Sequence, residues 1–195
     1  MDGLQNDRFT KEDSYKNLER VNQWISNVDA KTSIALAFVT LFVAVIFTSD
    51  FMKYGVKQMI MFISDLSLSD YRGIIVFLSI ITISLLIYFL CKASISLLNA
   101  ISSNIFIKYE DGDLIKHSIL FFGSIISNSF DEYYSKLEDI SEEKLLKDIA
   151  SQTYINSKIC DVKFRNYNKA IENLKYSIIL FILVIISFTI LAILE

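Results

Sequence analysis

Apolar residues in this chain follow two patterns, three long unbroken runs and shorter stretches striped at helical spacing, and the difference divides the sequence. Residues 32–49 (TSIALAFVTLFVAVIFTS), 73–91 (GIIVFLSIITISLLIYFLC) and 176–194 (YSIILFILVIISFTILAIL) contain no charged side chain. Each approaches the roughly 20 residues a helix needs to cross the hydrocarbon of a bilayer. A chain of 195 residues is too short to bury three fully apolar helices in a soluble core, so the runs predict spanning helices. None reads as a signal peptide, because the first begins only at Thr32, after a polar helical segment.

Between the spans the pattern changes. Residues 51–66 mix Phe, Met and Ile with Lys53 and Lys57, which suits a helix lying in the membrane interface or a plain extracellular loop. Past Lys92, Ile95, Leu98, Ile101 and Ile105 recur at helical spacing, with Ser96, Asn99 and Ser103 on another side. The second span therefore continues as an amphipathic helix to about Lys108. A turn at Glu110-Asp111-Gly112-Asp113 is followed by short helices over 114–127 and from Ser129. After Asp139 there is neither Gly nor Pro, so one helix from near Ser141 runs through the third span, on the order of 80 Å at about 1.5 Å per residue. Along it Ile149, Thr153, Asn156, Cys160, Lys163, Tyr167, Ala170 and Leu174 form a heptad-like seam. The seam packs on the 92–108 helix or forms a subunit interface.

Composition supports this all-α reading. The chain has no Pro and 5 Gly, too little punctuation for a strand-rich fold. The predicted class is an all-α integral membrane protein, three transmembrane helices with two of them extended into a helical cytoplasmic domain. Its segments are a cytoplasmic amphipathic helix at 1–31, a span at 32–49, an outer loop at 50–72, a span at 73–91, a cytoplasmic sensor or assembly domain at 92–175, and a span at 176–194.

Charge orients the chain. Five Lys or Arg precede the first span, three lie between the first two and eleven between the second and third. The positive-inside rule puts the N-terminus and 92–175 in the cytoplasm and the C-terminus outside. Within 92–175, acids dominate from 110 to 148, whereas Lys158, Lys163, Arg165 and Lys169 mark a basic stretch beside the membrane. Such a stretch holds anionic lipid headgroups or a phosphate-bearing ligand. Asp29 and Lys31 stand at the cytoplasmic mouth of the first span, two residues apart and so unable to face one another on one helix. Each needs a partner from the basic stretch or a neighbouring subunit, for structural pairing or for gating. Trp24 suits an interfacial anchor.

No catalytic constellation is present. His117 is the sole histidine, and there is no Gly-rich phosphate loop, nucleophile elbow or CxxC. No cofactor or metal is implied, Cys91 and Cys160 are not expected to pair, and enzyme activity is not expected. Ser79, Thr82 and Ser84 in the second span are the candidate lining of a wet path. With no charge in any span, one subunit cannot make a hydrophilic pore, so a conduit requires a homo-oligomer of several copies, a tetramer being the expectation although the sequence does not fix the number.

Several segments carry a family resemblance. They are Asn17 to Lys31 (NLERVNQWISNVDAK), with its Trp-Ile-x-x-x-Asp-x-Lys pattern, Phe121-Phe122-Gly123-Ser124-Ile125, residues 146–159 (LKDIASQTYINSKI), Lys163-Phe164 and the last span. In this order they resemble the membrane effector family of bacterial Pycsar anti-phage systems over nearly the whole chain. Val28 stands where a small residue is expected before the aspartate. The resemblance implies an effector that responds to a cyclic pyrimidine mononucleotide from a partner cyclase and impairs the inner membrane to arrest the infected cell. The sequence holds no recognisable cyclic nucleotide-binding module, so either the helical domain binds the signal itself or the gate answers to another ligand, such as an oligonucleotide from a partner nucleotidyltransferase, or to a partner protein. The other reading is a non-conducting membrane anchor that recruits a soluble partner through its cytoplasmic helices.

Overall fold

The computed structural model describes residues 9–64, 71–102, 114–115 and 117–193. They form six helices, α1 (Lys11–Thr48), α2 (Asp50–Ser64), α3 (Tyr71–Ile101), α4 (Phe122–Ile126), α5 (Phe130–Glu138) and α6 (Glu142–Ile193), with no strand among the described residues. The three apolar runs lie within α1, α3 and α6, and these helices are long and apolar enough to cross a membrane. The chain is an all-α membrane protein.

The residues fall into two compact units, the first from Met1–Asp29 and Ser103–Lys163, the second from Ala30–Ser102 and Phe164–Glu195. The second unit holds the spans. Its core joins Ala35 and Val39 of α1, Met52 and Met59 of α2, Leu86, Leu90, Ala93 and Leu97 of α3, and Ala170, Leu174, Val184 and Phe188 of α6. Small residues at these contacts let helix backbones approach closely, which is how helices associate where lipid removes the hydrophobic drive.

Residues 50–64 form a helix packed on the spans. Met52, Gly55 and Met59 are buried on one face of α2, and Gly55 lies directly against the Phe188 ring, where a Cβ would come within 2.0 Å of the ring carbons. That close approach is why the position is glycine. The apolar stripe expected along 95–105 is not the packing face of α3. Ile95, Leu98 and Ile101 are exposed, and Ala93, Leu97 and Ala100 are buried instead, because smaller side chains bring α3 nearer its neighbours. The expected tail of that helix over 103–108 and the turn at 110–113 lie outside the described residues, as do 65–70 of the outer loop.

In the first unit the short helix expected over 114–127 is confined to α4. The described residues before it are non-helical because side chains of α6 take their backbone donors. Ile115 N–H donates to Ser151 Oγ (3.3 Å) and Ile119 N–H to Asp148 Oδ2 (2.9 Å). Phe121 then folds its ring over Gly123, whose missing Cβ would lie 2.6 Å from that ring, a steric account of the Phe-Phe-Gly segment. α5 begins with a capping box in which Ser129 and Glu132 satisfy each other's backbone donors. α6 begins at the Ser141 cap and continues for 52 residues.

Gly55→Leu tests the α2 contact. Thermal unfolding in detergent is expected to show a loss of about 1–3 kcal/mol from overpacking, and a second change, Phe188→Ala, is expected to recover part of it.

Candidate functional site

The seam predicted on α6 is buried or half-buried along its length. In the first unit Ile149, Cys160 and Lys163 are buried and Thr153 and Asn156 half-buried. Its partner over this stretch is α1. Asn156 Nδ2 donates to Asn22 Oδ1 at 2.8 Å, and Lys163 Nζ donates to Asp29 Oδ1 at 2.6 Å. Both pairs join residues 134 apart in sequence, so α1 and α6 run parallel and in register across one heptad. The α1 side repeats the same spacing, with Ser14, Val21 and Val28 buried and Leu18 and Ile25 half-buried. In the second unit the seam's Ala170 and Leu174 share a buried cluster with Ala93 and Leu97, the described part of the 92–108 helix expected opposite it, and residues 103–108 lie outside the described residues.

The lower contact is the electrostatic centre. The Lys163 side chain is only 5% exposed, whereas the Asp29 side chain is 45% exposed. A buried ammonium is tolerated when a carboxylate and further hydrogen bonds satisfy it. The carboxylate comes from α1, one turn before the apolar run at Thr32 begins. Two residues that the sequence assigned to separate clusters, the mouth of the first span and the basic stretch, thus form one ion pair.

Other candidates lie elsewhere. Lys158 sits over the Tyr154 ring, 4.4 Å from its centroid. Arg165, Lys169 and Lys31 are exposed. In the second span Ser79, Thr82 and Ser84 each donate to the carbonyl four residues back, on Ile75, Leu78 and Ile80, all at 2.8 Å. Ser79 is buried, Thr82 half-buried and Ser84 exposed, so the three do not share one face. Trp24 is about half exposed.

Beside the seam, Cys160 is buried, and that burial raises its thiol pKa, with the Asp161 and Asp29 carboxylates adding to the effect against Lys163. The thiol therefore stays protonated further up the pH scale than a free cysteine.

Sequence reasoning missed two features. Asp148 is 1% exposed and holds Ile119 through one oxygen, while Oδ1 has no hydrogen-bond partner. His117, Ser124, Asn128, Tyr133 and Lys136 line a polar cavity of about 230 Å³, where Lys136 donates to Asn128 Oδ1. No single-residue signal marks that cavity, because its lining converges only through the non-helical path into α4. The α1 seam, by contrast, was readable from its heptad spacing. Among the described residues no group of three His, Cys, Asp or Glu side chains is placed to hold a metal ion.

Asp29→Asn removes the carboxylate from beside a buried ammonium. It is expected to cost roughly 2–3 kcal/mol, below the fully buried range of about 3–5 because Asp29 is half exposed. Lys163→Met is expected to cost less, since Asp29 then returns to water. Thermal unfolding ranks the two, and maleimide labelling of Cys160 at neutral pH, slow in the parent protein, is expected to speed up in Asp29→Asn.

Comparison with known proteins adds to this geometry. A family model, the Pycsar effector protein domain, matches residues 13–194. The Pycsar effector protein GmPycTM of Gulbenkiania mobilis is similar, 35% identical over 179 residues that cover 89% of this chain and 90% of that protein. No solved structure matches.

Proposed function

The chain belongs to the Pycsar effector family, and on that premise we propose that this membrane effector of anti-phage defence is an oligomeric conduit gated by a nucleotide-derived signal. The observation that carries the reading is the Asp29–Lys163 pair. It joins two helices, α1 and α6, each of which goes on to a candidate span. A ligand that favours one packing of these helices over another shifts their register, in the manner of helix displacements at other switches.

In this reading the N-terminus and 92–175 face the cytoplasm of a bacterium, where the positive flanks place them. The signal is a cyclic mononucleotide or an oligonucleotide made by a partner cyclase or nucleotidyltransferase. Its phosphate is held at the basic stretch by Lys158, Arg165 and Lys169. Lys163 serves the latch, its ammonium being buried against Asp29. To invert a closed-to-open population from about 1:99 to 99:1, the signal must bind the open form about 10⁴-fold more tightly. The conduit forms between copies, because no span carries a charge and the hydroxyls of Ser79, Thr82 and Ser84 already donate to their own helix. Opening it impairs the inner membrane and arrests the infected cell.

The test is ion flux from liposomes holding the purified protein, with and without cyclic pyrimidine mononucleotides or short oligonucleotides. Flux is expected to respond to one nucleotide, and the response is expected to fall at least tenfold in a Lys158→Glu, Arg165→Glu variant. Lys136→Ala, at the polar cavity, is expected to keep the response. Silence under every ligand, from protein shown to be folded and inserted, would favour a non-conducting anchor.

A further inference from the structure

The second unit holds a cavity of about 570 Å³ between α1, α2 and α3. Val43 and Phe47 of α1 and Ile83, Ile87 and Leu90 of α3 form its apolar walls. α2 contributes one side of its helix. Lys53, Val56, Lys57 and Ile60 stand three and four residues apart and so share a face, beside the one on which Met52, Gly55 and Met59 are buried. Every lining residue is apolar except those two lysines. Phe47, Ile60 and Ile87 are 75, 62 and 57% exposed, so the described residues leave the cavity open.

Such a lining suits an amphiphile with an anionic head. Lys53 and Lys57 follow Ser49, the end of the first apolar run, by four and eight residues, where lysine side chains reach the membrane interface. Ile83, Ile87 and Leu90 belong to the second apolar run, so the walls continue into hydrocarbon. A tail placed against them stays among apolar atoms while its head meets ammonium groups whose stems lie along the same surface. The two lysines are not equivalent. Lys53 Nζ donates to Asp50 Oδ1 at 3.1 Å, and among the described residues no acid is paired with Lys57. A two-fold pairing of this face on a second copy would set lysine against lysine.

We infer that the cavity is a binding site for an anionic phospholipid, with one acyl chain between α1 and α3 and the headgroup phosphate at Lys57. Basic positions among spans recur as holders of such headgroups. The site is distinct from the basic stretch on α6, because its apolar walls take a tail that a nucleotide lacks. The other face of α2 rests on Phe188 of α6 through Gly55, so an occupied site braces α2 between the lipid and the third span. The inference needs the membrane-spanning fold and not the conduit.

Thermal unfolding of the full-length protein in mild detergent provides the test. Dioleoyl-phosphatidylglycerol is titrated beside dioleoyl-phosphatidylcholine, which has the same tails. The anionic lipid is expected to raise the melting temperature further, a tenfold preference corresponding to roughly 3–5 °C. Lys57→Gln is expected to bring the phosphatidylglycerol curve down to that of phosphatidylcholine. Ile87→Trp, which fills the cavity, is expected to abolish both shifts, with helix content retained by circular dichroism. In native mass spectrometry the parent protein is expected to keep phosphatidylglycerol adducts that Ile87→Trp loses. Equal shifts from the two lipids, an unchanged preference in Lys57→Gln, or shifts that survive Ile87→Trp would overturn the inference. A disulfide-linked dimer of Val56→Cys in nanodiscs, in a Cys91→Ser, Cys160→Ser background, would overturn it too and give the cavity to a second copy.

Discussion

A nearly buried lysine, met by a half-exposed carboxylate, specifies how α6 packs on α1 in the first unit. Lys163 lies on α6, thirteen residues before Tyr176, where the third apolar run begins, with its side chain 5% exposed and its ammonium on Asp29 of α1. An unpaired charge in that place would carry a desolvation penalty of several kcal/mol, so the packing of α6 on α1 is specified there by electrostatics as well as by shape. The Asn22–Asn156 bond one heptad earlier repeats the same offset. That bond lies at the exposed edge of the seam and adds a second directional contact at the same offset. Both contacts require the parallel alignment, and a slip of one residue would break both.

Long helices and apolar runs were legible in the sequence because they rest on local properties, the lack of charge in three runs and the scarcity of Gly and Pro. The α6 seam was legible for the same reason, since heptad spacing is a property of one helix. Its partner was not, because which helix lies across a seam depends on contacts between residues more than a hundred positions apart. The path before α4 misled in a different way. Its composition is helical, yet Ser151 and Asp148 of α6 take backbone donors that a helix would have used itself. On α3 a reading by hydrophobicity chose Ile95, Leu98 and Ile101, whereas close packing selected the small Ala93 and Ala100. Of the candidate site, the sequence offered the basic stretch or a neighbouring subunit as the source of a partner for Asp29, and the fold supplies Lys163 of that stretch.

The functional account follows from the continuity of two helices. α1 and α6 each carry one half of the ion pair and then an apolar run, and the proposed switch rests on that shared path of the two helices. Buried, bistable packing is what turns a small displacement at an effector site into a discrete change of state.

The most direct measurement is the distance between α1 and α6 across the seam, by electron paramagnetic resonance. Spin labels would be placed at Gln23→Cys and Ser157→Cys, in a Cys91→Ser, Cys160→Ser background, with the protein in nanodiscs. Addition of the nucleotide that switches on flux is expected to move the distance distribution by about 1–5 Å, the range from a helix shift to a one-turn ratchet. A distribution that stays unchanged while flux is switched on would contradict the claim that the Asp29–Lys163 seam carries the signal.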